Sequence, residues 1–313
     1  MEIKKVACVG AGVVGHSWAT LFALKGYEVK LQSRKSTTLK EAMLLIRSQM
    51  EFLEQKGLVK KKDIESSFNR IVTTTSINDA VRDVDYVQES ITEKYAAKKF
   101  IFKKMDAFAP EHTILASSSS GLLMTEIQKV TKSPHRCVLV HPWNPPILMP
   151  LVEIAGGEKT SEETIQAVYS FMLRLGKVPV VLRKEVPGYI ANRIQAAVLR
   201  EAIDLVDKGV ASVEDIDKAV RAGPGLRWAI MGPFLTHHVA GKGIERFIKT
   251  LGPSFKYRWR SMATWTSIPR SAIRKITEGV YQLEIVKSKK MEEIIAWRDS
   301  KLVKLLETLG YIQ

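Results

Sequence analysis

Val6-Ala7-Cys8-Val9-Gly10-Ala11-Gly12-Val13-Val14-Gly15 is the stretch that decides how this chain folds. Lys5 to Val9 is a short apolar run closed by Gly10, the pattern of a buried strand. Val13 to Lys25 then places Val14, Trp18, Leu21, Phe22 and Leu24 near helical spacing, and Gly26 stops the helix. Tyr27 to Gln32 reads as a second strand, so strand, glycine turn, helix and strand fit within about thirty residues, the size of one βαβ unit. Gly10, Gly12 and Gly15 stand where a backbone must turn tightly, let a pyrophosphate approach, and seat the helix on the sheet. A pyrophosphate at that helix start meets open N–H groups and the positive end of the helix dipole. The fold expected is α/β, a Rossmann-type doubly wound parallel sheet that binds a dinucleotide.

Working outward, a Lys-rich helical excursion runs from Leu39 to about Lys62 with Gly57 near its tip. Strand-like runs return at Arg70 to Thr74, Asp85 to Gln88, Thr113 to Ala116, Cys137 to His141 and Val178 to Leu182, with helical segments such as Ala96 to Phe108 between them. Such alternation predicts a parallel sheet covered by helices. After Pro187 and Gly188 the pattern is helical to the end, which predicts a domain boundary near Val186. Residues 1–186 are expected to form the dinucleotide-binding domain and residues 187–313 an all-α domain for substrate and dimerisation.

The second strand ends at Ser33, where sites that prefer NAD carry an acidic residue for the ribose hydroxyls. Arg34 and Lys35 follow and suit a 2′-phosphate, so Ser33 and Arg34 favour NADP over NAD while leaving both open. Four polar residues lie at or just beyond strand or turn signals, where open α/β sheets build their sites: Ser120, His141, Glu153 and Asn192. His141 opens the rigid run His141-Pro142-Trp143-Asn144-Pro145-Pro146, and imidazole suits proton transfer near neutrality. Glu153 sits among Leu151, Val152 and Ile154, an apolar setting in which a carboxylate calls for a cationic partner.

The chain has 313 residues and a formal charge of +15, uneven along its length: residues 241–290 carry twelve Lys or Arg against three Glu. A solvated basic surface, or one that receives a phosphate-bearing ligand, explains this better than nucleic acid, for which no zinc-finger or RNA-binding motif is present. The two cysteines, Cys8 and Cys137, provide neither a disulfide framework nor metal-ligand spacing, as expected in a reducing cytoplasmic setting. No apolar run reaches the length of about 18 residues needed to span a membrane.

In its ordered blocks the chain resembles the 3-hydroxyacyl-CoA dehydrogenase family over nearly its whole length. The blocks are Ser117-Ser118-Ser119-Ser120-Gly121-Leu122, His141 to Pro146, Pro150-Leu151-Val152-Glu153 and Pro187-Gly188-Tyr189-Ile190-Ala191-Asn192-Arg193. The resemblance implies that His141 and Glu153 are the catalytic pair and that Ser120 and Asn192 hold substrate. It also implies that Val13, Val14, Glu93, Lys98 and Ser118 contact the cofactor, although Ser33 departs from the family's usual acidic residue.

Two further blocks, Gly15-His16-Ser17-Trp18-Ala19 and Gly225-Leu226-Arg227-Trp228-Ala229, are similar to the branch of L-gulonate and L-carnitine 3-dehydrogenases. That branch acts on a free 3-hydroxy acid, for whose carboxylate Arg227 is a candidate partner. The other branch acts on CoA thioesters, and Lys60, Lys61 and Lys62 are cations that CoA phosphates would meet. Family likeness further implies a homodimer formed through the helical domain.

Overall fold

A computed structural model of the chain describes residues 2–312. Eight strands form one sheet in the order β3-β2-β1-β4-β5-β6-β7-β8. Their ranges are β1 Lys5–Val9, β2 Glu28–Gln32, β3 Ile71–Thr74, β4 Tyr86–Glu89, β5 Ile114–Ser117, β6 Cys137–Pro142, β7 Leu151–Gly156 and β8 Val178–Leu182. The chain reverses its direction across the sheet between β1 and β4, the switch point outside whose carboxyl ends open α/β sheets bind ligands. Pairing is parallel from β3 through β6, and β7 runs antiparallel to β6.

Alternation along the strands gives the sheet two packed faces. On one, Val6 and Cys8 of β1 pack with α1 (Val13–Leu24), α2 (Ser36–Gln55) and, further along the sheet, α7 (Glu162–Arg174). Trp18 stacks on Phe22 at 5.2 Å between ring centroids, and Phe22 on Phe171 of α7 at 5.7 Å. Truncating such a buried ring costs about 3–5 kcal/mol. On the other face, Ala7 and Val9 meet α4 (Ile77–Val81), α5 (Tyr95–Phe108) and α6 (Met124–Gln128). Both cysteines lie buried among these apolar groups.

The helical excursion is two helices, α2 and α3 (Lys61–Phe68), joined through Gly57 at φ +77°. Contacts divide the chain into a first unit, residues 2–192 with 302–312, and a second, Arg193–Lys301. The first unit thus runs past the expected boundary at 186 and takes back the end of the chain. Its C-terminal residues Val303 and Leu306 are buried with Leu53 and Leu148, a long-range return that no local pattern announces.

Within the second unit the described residues form helices and their connections without a strand, beginning in α8 (Ala191–Asp207) and continuing through α9 (Val213–Val220), α10 (Leu226–Ile230) and α11 (Pro233–Gly241). There follow α12 (Ile244–Thr250), α13 (Gly252–Ser261), α14 (Arg270–Gln282), α15 (Glu284–Ser288) and α16 (Met291–Thr308), whose last turns rejoin the first unit. No helix among the described residues is long and apolar enough to cross a membrane.

Candidate active site

The glycine turn is built as a cradle. Gly10 adopts φ +103°, and a Cβ there would lie 2.6 Å from the Ser90 carbonyl oxygen. A Cβ on Gly15 would stand 1.8 Å from the Gly10 carbonyl oxygen, so only glycine lets α1 rest on the turn. At Gly12 an added Cβ would meet nothing within 4 Å, and that side faces a cavity of about 970 Å³. Val13 and Val14 open α1 there, Val13 largely exposed. The cavity continues to Ser33 and Arg34 at the end of β2, and Thr38, Asn78 and Lys104 are among its other polar lining residues. Among the described residues no carboxylate lines it, whereas Arg34 and Lys104 do. A dinucleotide fits this donor set and shape. Lys104 was not evident from sequence; its only signal is the helical step from Phe100, over whose ring its ammonium lies at 4.6 Å.

Beyond the cavity a second group of residues is joined into one hydrogen-bonded chain. The antiparallel register sets His141 of β6 directly opposite Glu153 of β7, and His141 Nδ1 lies 3.0 Å from Glu153 Oε2. Both side chains are buried. The other Glu153 oxygen accepts the backbone amides of Ile190 at 2.8 Å and Ala191 at 3.0 Å, at the start of α8. Burial alone would raise the Glu153 pKa; His141 and the two amides outweigh it and hold the carboxylate below its usual range. The partners of Glu153 are therefore His141, as the resemblance implies, and the two amides at the start of α8, which the sequence does not reveal.

The next residue, Asn192, donates from Nδ2 to the Ser120 carbonyl at 3.0 Å. Ser120 in turn gives its amide to Glu93 Oε1 at 2.9 Å, alongside Gly121 N at 3.1 Å and the Ser119 hydroxyl at 2.6 Å. Burial raises the Glu93 pKa, and Ser119, Lys98 and the two amides overcome that and lower it. Lys98 is 1% exposed; its ammonium spans both oxygens of the buried Glu89 at 2.8 and 3.0 Å and reaches Glu93 at 3.4 Å. It reaches the serine loop both through Glu93 and through Glu89, whose Oε2 accepts the Ser117 hydroxyl at 2.6 Å. Ser118 is held by Gln88 Nε2 at 2.7 Å and by the Ser90 hydroxyl at 2.9 Å.

Of the residues expected from sequence, His141, Glu153, Asn192, Ser120, Glu93 and Lys98 thus fall in one network within the first unit. Gly10, Gly12, Ser33 and Arg34 line the cavity beside the glycine turn. Arg227 is exposed on α10 in the second unit. Trp265 donates to Asp204 at 3.3 Å and Trp259 packs on Phe255, so these two serve packing within the helical unit.

Comparison with known proteins matches residues 5–186 to the NAD-binding domain model of 3-hydroxyacyl-CoA dehydrogenases and residues 188–286 to that family's C-terminal domain model. The chain belongs to the 3-hydroxyacyl-CoA dehydrogenase family. It is 36% identical to L-carnitine dehydrogenase of Streptomyces coelicolor across 99% of this chain and 96% of that one. To the enzyme of the same name from Oceanobacillus iheyensis it is also 36% identical, across 97% and 98%.

Among solved structures, an NAD+-dependent 5-formyl-3-hydroxy-2-methylpyridine 4-carboxylic acid 5-dehydrogenase superposes with TM-score 0.85 at 26% identity, each chain covered completely. The (S)-3-hydroxybutyryl-CoA dehydrogenase of Ralstonia eutropha gives 0.69 at 30% identity, over 84% of this chain and 91% of that one. The family and the branch indicated by the Ser17-Trp18 helix are those the sequence blocks suggest. A nicotinamide dinucleotide is the cofactor class of the amino-terminal domain.

Proposed function

We propose that this dehydrogenase oxidises the C3 hydroxyl of a free L-3-hydroxy acid of the carnitine, gulonate or 3-hydroxybutyrate kind to the 3-keto acid. The observation that carries the reading is the His141–Glu153 pair, whose Nδ1···Oε2 contact of 3.0 Å engages one ring nitrogen and leaves Nε2 as the one for a substrate hydroxyl. His141 takes the hydroxyl proton as the C3–H bond breaks. The ionised Glu153 stabilises the imidazolium that results, and in reduction His141 returns the proton. The nicotinamide, when bound, accepts the hydride from C3. Ser120 and Asn192 hold the reacting oxygen, Glu93 anchoring the loop of Ser120 and α8 carrying Asn192.

Full-length similarity to L-carnitine dehydrogenases supports the free acid, with Arg227 the proposed partner of its carboxylate. The similarity to a 3-hydroxybutyryl-CoA dehydrogenase keeps the thioester as the second reading. Ser33, Arg34 and Lys104, in a cavity without a carboxylate, support NADP(H) over NAD(H). Purified protein should be assayed with NAD+ and NADP+ against L-carnitine, L-gulonate, L-3-hydroxybutyrate and (S)-3-hydroxybutyryl-CoA, following reduced nicotinamide. Turnover of a free acid is the expected result, and turnover of the thioester alone overturns it. A kcat/KM ratio favouring NAD+ ends the NADP proposal.

A further inference from the structure

Residues 143–150 join the strand that carries His141 to the strand that carries Glu153, and they contain Pro145, Pro146 and Pro150. Proline has no amide hydrogen, so such a loop is short of donors for its own carbonyl groups. Its internal bonds run from the Leu148 and Met149 amides to the Pro145 carbonyl, at 3.0 and 2.9 Å. The Pro146 and Met149 carbonyls are met from outside, both by Nζ of Lys177, the latter at 2.9 Å. One residue on, the Val178 amide donates to Pro150 O at 2.8 Å, so the entry to β8 is stitched to the loop twice.

Lys177 is 6% exposed. Nζ lies 5.9 Å from the centre of the Trp18 ring, and among the described residues no carboxylate pairs with it. Burial, with repulsion from Lys25, pushes its pKa down to about 7. An unpaired buried ammonium is costly, and a methionine would fill the same space without that cost. The loop is also gripped on an apolar flank: Leu148 is buried with Leu53 of α2 and Val303 and Leu306 of α16.

We propose that Lys177 is a positioning residue for the dehydrogenation assigned above: its two carbonyl contacts set the shape of the 143–150 loop and hence the stance of His141. The β6–β7 ladder fixes backbone register without it. Losing Lys177 therefore moves the loop and leaves the sheet and the dinucleotide cavity intact.

The test compares the full-length wild type with Lys177→Met, which removes the donors, and Lys177→Gln, which keeps an uncharged N–H pair. Lys177→Met should bind NADPH and NADH as the wild type does and speed amide exchange at Trp143, Asn144, Ile147, Leu148 and Met149 alone. It should lower kcat on L-carnitine, or on whichever 3-hydroxy acid the screen finds, about 10- to 100-fold, the scale of a misplaced catalytic group. Lys177→Gln should recover part of both losses.

Wild-type kcat and loop exchange in Lys177→Met, or a Gln variant indistinguishable from Met, overturns the proposal. If Lys177→Met does not fold, Lys177→Gln and the wild type decide: loop amides that exchange in the wild type as fast as the Lys56–Gly57 turn also overturn it. Failure of the dehydrogenase reading is separate, because it appears as a wild type that turns over none of the acids, and the exchange measurement needs no turnover.

Discussion

In the proposed reaction His141 and Glu153 divide their work according to what surrounds each. Replacing His141 with Ala should lower kcat about 10²- to 10⁴-fold, the usual share of a general acid–base, and leave the Kd for reduced nicotinamide dinucleotide unchanged. A matched loss of dinucleotide binding would instead make His141 a structural residue. For Glu153 the sign of the pH effect follows from its lowered pKa. Below the folded value both states are protonated and the contribution vanishes; above the ordinary glutamate pKa it is fully present. The melting temperature of the wild type minus that of Glu153→Gln should therefore shrink as pH falls from about 6 to about 3. Lys177 gives the same sign for a different reason, its ammonium being disfavoured and its pKa lowered to about 7 by burial and by Lys25, with Trp18 and two carbonyls as its other neighbours. Between there and the unfolded lysine value of about 10.4 the unfolded chain binds the extra proton, so stability rises with pH by up to about 1.4 kcal/mol per unit. The wild type should gain stability over Lys177→Met as pH rises from about 7 to about 9, and calorimetry of the two proteins reads it directly.

The glycine turn and α1 act as one element, and two of its glycines do different jobs. Gly15→Ala places a methyl 1.8 Å from the Gly10 carbonyl oxygen and must push α1 off β1, at a cost of about 1–3 kcal/mol or more. Gly12→Ala meets no protein atom within 4 Å, and its helix-start backbone, at φ −71°, suits any residue. It should melt like the wild type while its dinucleotide Kd rises about tenfold or more, because the added methyl stands where the pyrophosphate approaches. Equal damage to melting temperature in the two variants would contradict this division. At the end of the next strand, Ser33→Asp should shift kcat/KM toward NAD(H), since a carboxylate repels a 2′-phosphate and accepts from ribose hydroxyls. An unchanged cofactor ratio would show that Arg34 and Lys104 do not sense the 2′ position.

At the scale of the molecule, the helical unit leaves large apolar groups uncovered, including Phe234 at 83%, Ile230 at 72% and Leu226 at 63% exposure. Apolar surface on this scale is what an association interface buries, and we infer a homodimer formed through these helices. Light scattering on the purified chain should give twice the monomer mass of 35.1 kDa, and Phe234→Asp should shift it toward the monomer. A wild type that stays monomeric at high concentration would refute the dimer.

Local pattern was enough for the βαβ unit, because Val6 to Val9, Gly10 and the apolar spacing through Leu24 each demand one conformation without help from distant residues. It was enough, too, to nominate His141, Glu153, Ser120 and Asn192 as candidates, since each lies at or just beyond a strand or turn signal. What it did not contain was β7, whose six residues read only as an apolar setting for Glu153. The eight residues 143–150 are too few for a parallel crossover, so the segment must run antiparallel once it pairs with β6, and that it pairs there is what the whole sheet decides. That pairing sets Glu153 opposite His141 and points it at the Ile190 and Ala191 amides. Lys177, Lys104 and the C-terminal return onto Leu148 were illegible for the same reason: their meaning lies in contacts across long separations in the chain. Sequence by itself determined the strand–turn–helix unit and nominated the groups proposed as reactive, because those follow from short-range sterics and chemistry. Only the tertiary structure decided which groups face one another, because pairing across a sheet is set by burial and register over the whole domain.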